Sequence, residues 1–226
     1  FCCGNVNCAL RREAVVWYET RMEQNLAAAE RAENLRQLPA LLLPWYDKNK
    51  RDLPWRINTD PYHVWVSEIM LQQTRVEAVR GYYERFLQAF PTVHDLAEAP
   101  EETLLKLWEG LGYYSRARNL QKAAKLIVSQ YGGEFPRDYN SVRALPGIGD
   151  YTAGAIASAA FGRREAAVDG NVLRVVMRLT DCRDDIADPK VKKTVRAQIQ
   201  AVMPEGAEDI RVFNQATMEL GATVCA

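Results

Sequence analysis

The chain has 226 residues, 48% of them apolar, and its 29 lysines and arginines are balanced by 29 aspartates and glutamates. That composition allows a substantial core in one or two domains, and zero net charge excludes the whole-molecule positive field of many nucleic-acid binders, so any such contact must be local. No stretch approaches the roughly 20 apolar residues that span a bilayer, and the start lacks the charged-then-apolar order of a secretory signal.

A soluble intracellular protein is therefore expected, with nucleus, mitochondrion and bacterial cytoplasm all open. The sequence opens with Phe1 and stops one residue past Cys225, so it is expected to be a piece of a longer protein. Cys2, Cys3 and Cys8 crowd one end while Cys182 and Cys225 stand alone. This odd, poorly spaced set reads as free thiols rather than a disulfide framework.

Residues 9–37 are rich in alanine, glutamate and arginine and contain neither glycine nor proline, with opposite charges at helical spacing such as Glu33 and Arg36. They read as a polar helical or disordered extension whose thin apolar face leaves it solvated. From Leu38 onward, short helical runs are separated by proline, glycine and aspartate, and no segment alternates with the period of a strand. The expected helices are 41–49, 62–73, 76–89, 101–109, 115–131, 139–144, 151–161, 171–180, 190–203 and 212–221, making the fold all-α. Pro44 inside "LLLPWYDKN" is expected either to start a helix or to kink one.

Four segments carry residues suited to chemistry. In "PYHVWVSEIMLQQTRV", Pro61 to Val76, Glu68 lies near Val64, Ile69 and Leu71. Desolvation there disfavours its charged form and suits it to general-acid work; alone, it also fits a polar stripe. "LWEGLGYYSRARNLQKAAK" sets paired tyrosines beside Arg116, Arg118, Lys122 and Lys125, a combination suited to stacking on bases and touching phosphates, or to a core turn with a solvated basic face. "RDLPWR", Arg51 to Arg56, is similarly ambiguous.

"LPGIGDYTAGAIASAAFG", Leu145 to Gly162, has Gly147 and Gly149 in a tight turn before a small-residue helix. A helix-hairpin-helix of this kind aims backbone amides at one phosphate, although an interhelical turn needs the same glycines. "AAVDGNVLRVVMRL", from Ala166, puts Asp169 and Asn171 at a helix entrance, where they are ordinary caps and where helix amides favour a carboxylate anion. One protonated and one ionised carboxyl is the pairing that glycosidic cleavage needs.

In this order, "WVSEIMLQQT", "GLGYYSR", "LPGIGDYTAGAI", "VDGNV" and "FNQATMELGATVC" closely resemble the adenine glycosylase (MutY) branch of the helix-hairpin-helix DNA glycosylases, over residues 40–225. The resemblance implies a six-helix barrel lobe over 65–168 and a second helical lobe from 38–64 and 169–226, after an extension over 1–37, with an extruded adenine between the lobes. It implies a monofunctional enzyme in which Glu68 protonates adenine at N7 and Asp169 stabilises the oxocarbenium-like sugar, transient bonding to it being an open alternative. Tyr151 and Asn171 match residues that orient the carboxyls and the water. Gln73 and Tyr113 match residues inserted into the duplex, Gly147 and Gly149 the phosphate-binding hairpin, and Arg51 and Arg56 the loop near the lesion.

Tyr151 stands where endonuclease III-like relatives carry the Schiff-base lysine, so no efficient backbone cutting is expected. Cys225 matches the first of four cysteines holding a [4Fe-4S] cluster; the others and the domain that reads 8-oxoguanine are expected in the parent protein. The implied partner is double-stranded DNA with adenine opposite 8-oxoguanine or guanine, bound by a monomer away from membranes. The alternatives are a G·T mismatch thymine glycosylase, which also carries tyrosine at this position, and an inactive DNA-binding fragment.

Overall fold

The structure, a computed structural model, describes residues 29–225, and all regular elements among them are helical. The expectations for residues 9–28 and for Cys2, Cys3 and Cys8 lie outside the described residues. The first helix, α1, covers residues 29–49 and runs through Pro44 rather than starting there. A 3-10 turn, Pro54–Arg56, then leads to α2 (Pro61–Met70), α3 (Val76–Ala89), α4 (Val93–Glu98), α5 (Glu101–Leu107) and α6 (Ser115–Tyr131). The remainder is α7 (Tyr139–Arg143), α8 (Asp150–Phe161), α9 (Gly170–Leu179), α10 (Pro189–Val202) and α11 (Ala207–Thr223).

Side-chain caps fix several of the starts. Asp60 accepts from the amides of Tyr62 and His63 ahead of Pro61, Asp138 from Ser141, Asp169 from Val172 and Asp188 from Lys190. The helix expected over 62–73 ends at Met70 because the chain turns at Gln73, whose φ is +57°. Helix α4 was not expected: its six residues are too short for a periodicity, although Thr92 and Asp95 form a reciprocal capping box.

Apolar side chains collect in two clusters. The first runs from Leu53 through α2–α8, around the fully buried Trp65, Phe86, Trp108 and Ile156. The second gathers Leu35, Leu38, Leu42 and Tyr46 of α1 with Val172, Val176, Val195, Ile199 and Phe213. Two limits thus differ from those expected. Leu35 makes the end of the polar extension part of the second core, its spacing to Leu38, Leu42 and Tyr46 completing a helical stripe. Leu53, Trp55, Tyr62 and Val64, assigned to the second lobe, pack in the first.

Helices α2, α8, α9 and α11 meet where the clusters join, α8 touching α2 and α11, and α11 touching α9. Small residues permit these approaches. A Cβ on Gly154 of α8 would lie 2.6 Å from the Ala166 carbonyl oxygen, and one on Gly221 of α11 would lie 2.6 Å from both Cβ and O of Asn171. Gly221→Ala should therefore force α9 outward and cost about 1–3 kcal/mol, read as a lower urea midpoint; an unchanged midpoint would mean that α11 yields freely.

Candidate active site

Helix α2 ends in an almost uninterrupted buried run, Val64 to Met70, and Glu68 lies within it at 6% exposure. The Glu68 Oε2 atom is buried without a hydrogen-bond partner. Burial is the main force on this group and raises its pKa to about 7, the Tyr151 hydroxyl pulling down, the Asp169 charge pushing up and Arg56 pulling down again. Glu68 faces a cavity of about 560 Å³ that it shares with Leu71, Gln72, Gln73, Tyr113, Ser115, Arg116, Tyr151 and Asp169.

Asp169 and Tyr151 reach this cavity from helix starts. Asp169 caps α9: its Oδ1 accepts from the Val172 amide at 2.9 Å and its Oδ2 from the Asn171 side-chain amide at 2.7 Å. Asn171 is held in turn by Arg174, whose Nη2 donates to Asn171 Oδ1 at 2.6 Å and to the Gly221 carbonyl at 2.9 Å. Tyr151, in the first turn of α8, donates its hydroxyl to Met218 Sδ at 3.2 Å, and burial holds its pKa well above the ordinary value. The cavity thus brings together Glu68, Tyr151, Asp169, Gln73 and Tyr113, with Asn171 one hydrogen bond behind.

Gln73 and Tyr113 stand on the rim, both solvent-exposed and both at positive φ, +57° and +47°. Such backbone is costly for residues other than glycine and is often kept where a side chain must project. Gly147 and Gly149 lie apart from the cavity, on the exposed turn between α7 and α8. Gly147 has φ +79° and packs so tightly on Asn119 that a Cβ would come within 2.9 Å of it, whereas a Cβ on Gly149 would meet nothing within 4 Å. The side of the turn at Gly149 is therefore open.

Arg51 and Arg56 are paired within the chain. They line a neighbouring cavity of about 330 Å³, and both guanidinium groups are spent on Glu219 of α11. Arg51 Nε donates to Glu219 Oε1 at 2.6 Å and Arg56 Nη2 to Oε2 at 2.8 Å, while Arg56 Nε reaches Gln215 at 3.0 Å. Two other basic residues read as phosphate contacts are also committed elsewhere: Arg118 pairs with Glu101, and Arg116 points inward. The sequence hid Arg116, Met218 and Glu219 as site neighbours because each acts across more than 40 residues of chain, and Arg174 because its local hold on Asn171 is shared with the Gly221 carbonyl, 47 residues away.

Cys225 is half-buried at the end of α11, and Cys182 is the other free cysteine among the described residues. Those residues contain no group of three or more histidine, cysteine or acidic side chains arranged to hold a metal. They do not by themselves form a four-thiolate cluster site.

The Glu219 side chain is fully buried, and burial alone would raise its pKa; the hydrogen bonds from Arg51 and Arg56 outweigh that and hold it at about 2. Its contribution to stability is complete above its ordinary 4.5 and is lost as pH falls through about 2. Removing its charge leaves the largely buried Arg56 uncompensated, so Glu219→Gln is expected to cost about 3–5 kcal/mol at pH 7 by chemical denaturation. A cost under about 1 kcal/mol would class the pair with exposed surface bridges.

Comparison with known proteins agrees with this geometry. Residues 66–201 match the family described as HhH-GPD superfamily base excision DNA repair protein. The chain is 48% identical over 194 residues to the adenine DNA glycosylase of Homo sapiens, covering 81% of this chain and 35% of that protein. It is 41% identical over 186 residues to that of Buchnera aphidicola subsp. Acyrthosiphon pisum, covering 82% and 53%. The chain thus spans about a third of its mammalian relatives and about half of the bacterial ones. Among solved structures it is similar to a thermostable thymine-DNA glycosylase, with TM-score 0.75, 27% identity and coverage of 86% of this chain and 88% of that one. It is also similar to endonuclease III in a non-covalent complex with DNA, with TM-score 0.72, 26% identity and coverage of 86% and 87%. No helix among the described residues is long and apolar enough to cross a membrane. On the family match over more than half its length, the chain belongs to the HhH-GPD superfamily of base excision DNA repair proteins.

Proposed function

We propose that this chain is the catalytic part of an adenine DNA glycosylase acting on double-stranded DNA, releasing adenine mispaired with 8-oxoguanine or guanine. The observation that carries the reading is one cavity lined by both a buried carboxyl with its pKa raised to about 7, Glu68, and a helix-capping carboxylate, Asp169. An acid in its neutral form and a hydrogen-bonded anion are the two groups that glycosidic cleavage uses.

Glu68 donates its proton to N7 of the extruded adenine, so that the electron pair of the breaking sugar–base bond leaves on a neutral base. Asp169 faces the cationic sugar that remains, and water then adds to its anomeric carbon, releasing a proton. Asn171 fixes Asp169 Oδ2, leaving less freedom for that carboxylate to swing away from the sugar. Tyr151 occupies the position of the lysine that cuts the backbone in endonuclease III-like relatives, which supports base release without strand cleavage. Gln73 and Tyr113 fill the gap in the duplex, and the amides around Gly147 and Gly149 hold a phosphate. The [4Fe-4S] cluster belongs to the full-length protein, with Cys225 as one ligand supplying only a fold anchor, and no step passes through it.

The thymine glycosylase likeness at 27% identity supports the shared fold and keeps the mismatch branch in the test, while relatives named for adenine stand at 37–50%. Single-turnover assays with the full-length protein should release adenine opposite 8-oxoguanine or guanine and no thymine opposite guanine, with strand breaks only after alkali. Thymine release would transfer the protein to the mismatch branch.

Because the reaction needs Glu68 protonated, the rate should fall as pH rises through about 7. Glu68→Gln is expected to lose about 10²–10⁴-fold in rate while retaining duplex affinity. The raised pKa also has a cost: folding is most favourable with the proton on, and that stability is lost as pH rises from 4.5 through about 7. Glu68→Gln should therefore be more stable than the native protein at pH 8, with the gain absent at pH 4. A variant that is slow but no more stable at pH 8 would argue against a carboxyl kept neutral by burial.

A further inference from the structure

We infer that Arg116 is the positioning residue that holds both rim residues, Gln73 and Tyr113, in the conformation needed to extrude a base; this rests on the glycosylase reading above. Arg116 is 9% exposed and its guanidinium lies between the two rim segments. Its Nη1 donates to the carbonyls of Ile69 and Met70, each at 3.0 Å, and of Gln72 at 2.5 Å. Its Nη2 donates to Thr74 Oγ1 at 3.2 Å and to the carbonyls of Leu111 and Gly112 at 2.9 and 3.2 Å.

These acceptors belong to two stretches about 40 residues apart, and each adjoins a non-glycine residue at positive φ, Gln73 in one and Tyr113 in the other, with Gly110 and Gly112 sharing that sign in the second. The last carbonyls of a helix have no intrahelical partner. By taking those of Ile69 and Met70, Arg116 lets α2 end abruptly two residues after Glu68, and by taking the Gln72 carbonyl and the Thr74 hydroxyl it flanks the left-handed Gln73 on both sides. Leu111 and Gly112 are fixed just before Tyr113, and the guanidinium also lies 5.7 Å from the Tyr113 ring and 5.4 Å from that of Trp108. One planar fork thereby sets the separation of two strained backbones. A lysine keeps the charge but concentrates its donors at one point and cannot span both segments.

The test compares full-length native protein, Arg116→Lys and the milder Thr74→Val, which removes one contact from the Gln73 side. Amide hydrogen exchange at residues 71–74 and 110–114 of the DNA-free protein reads the clamp without any reaction. Single-turnover base release is then measured on adenine paired in a duplex and on adenine in a one-nucleotide bulge, with 2-aminopurine fluorescence at the target reporting extrusion.

Arg116→Lys is expected to exchange faster in both stretches, to extrude 2-aminopurine more slowly, and to lose about ten- to hundredfold in release from the paired target. The loss should be smaller at the bulge, where unstacking is largely complete. Thr74→Val should show the same pattern more weakly, and decides the matter if Arg116→Lys does not fold. Equal losses on both targets, or unchanged exchange in both stretches, would overturn the assignment. Absence of adenine release by the native protein would instead overturn the glycosylase reading, leaving the exchange result to stand alone.

Discussion

A carboxyl group pressed among apolar side chains holds its proton to a higher pH than one in water, and the end of α2 does this to Glu68, whose pKa is raised to about 7. The residues around it, Val64 to Met70, are all buried, so the carboxyl meets polar groups only on the side that faces the cavity. The neighbouring positive charge works against this arrangement, since Arg56 favours the ionised form. Glu219 offsets it. By binding Arg56 and Arg51 together, this buried carboxylate sets a negative charge against the guanidinium that weakly favours ionised Glu68. The ion pair is thus tied to the chemistry as well as to the docking of the 51–56 loop on α11.

Asp169 occupies the opposite environment at the other side of the same cavity. Its oxygens accept from a helix amide and from Asn171, and the latter is fixed through Arg174 to the Gly221 carbonyl of α11. A Cβ at Gly221 would intrude on Asn171, so the close crossing of α9 and α11 is what brings this chain of hydrogen bonds into register. Two residues with the same functional group are therefore set in opposite surroundings, burial without a partner for Glu68 Oε2 and helix capping for Asp169. Neither role follows from the residue type alone.

Much of this was legible in the sequence. Helix positions followed from apolar periodicity and from caps such as Asp60 and Asp169, and the cavity residues followed from motif order. What was not legible depended on long-range pairing. Arg116 sits in a basic run and reads as a surface residue, but the turn into α6 rotates it onto the end of α2. Arg51 and Arg56 look available for phosphate until Glu219, more than 160 residues away, is folded against them. Leu35 looks too isolated for a core until α1 is seen to run without a break from residue 29 to 49.

These internal commitments bear on how a protein of zero net charge grips a polyanion. Arg51, Arg56, Arg116, Arg118 and Arg143 all face carboxylates or carbonyls of the chain itself, while Lys122 and Lys125 of α6 stay exposed, and the chain's acids balance its bases in number. The open turn before α8 offers amides instead, and amides act only at contact distance. A grip of that kind contributes less to non-specific affinity than a basic surface does, and it depends less on salt. Discrimination then has to come from the step after contact. The held rim at Gln73 and Tyr113 makes the unstacking of a base possible, and the buried Glu68 reacts only with a base that has entered its cavity.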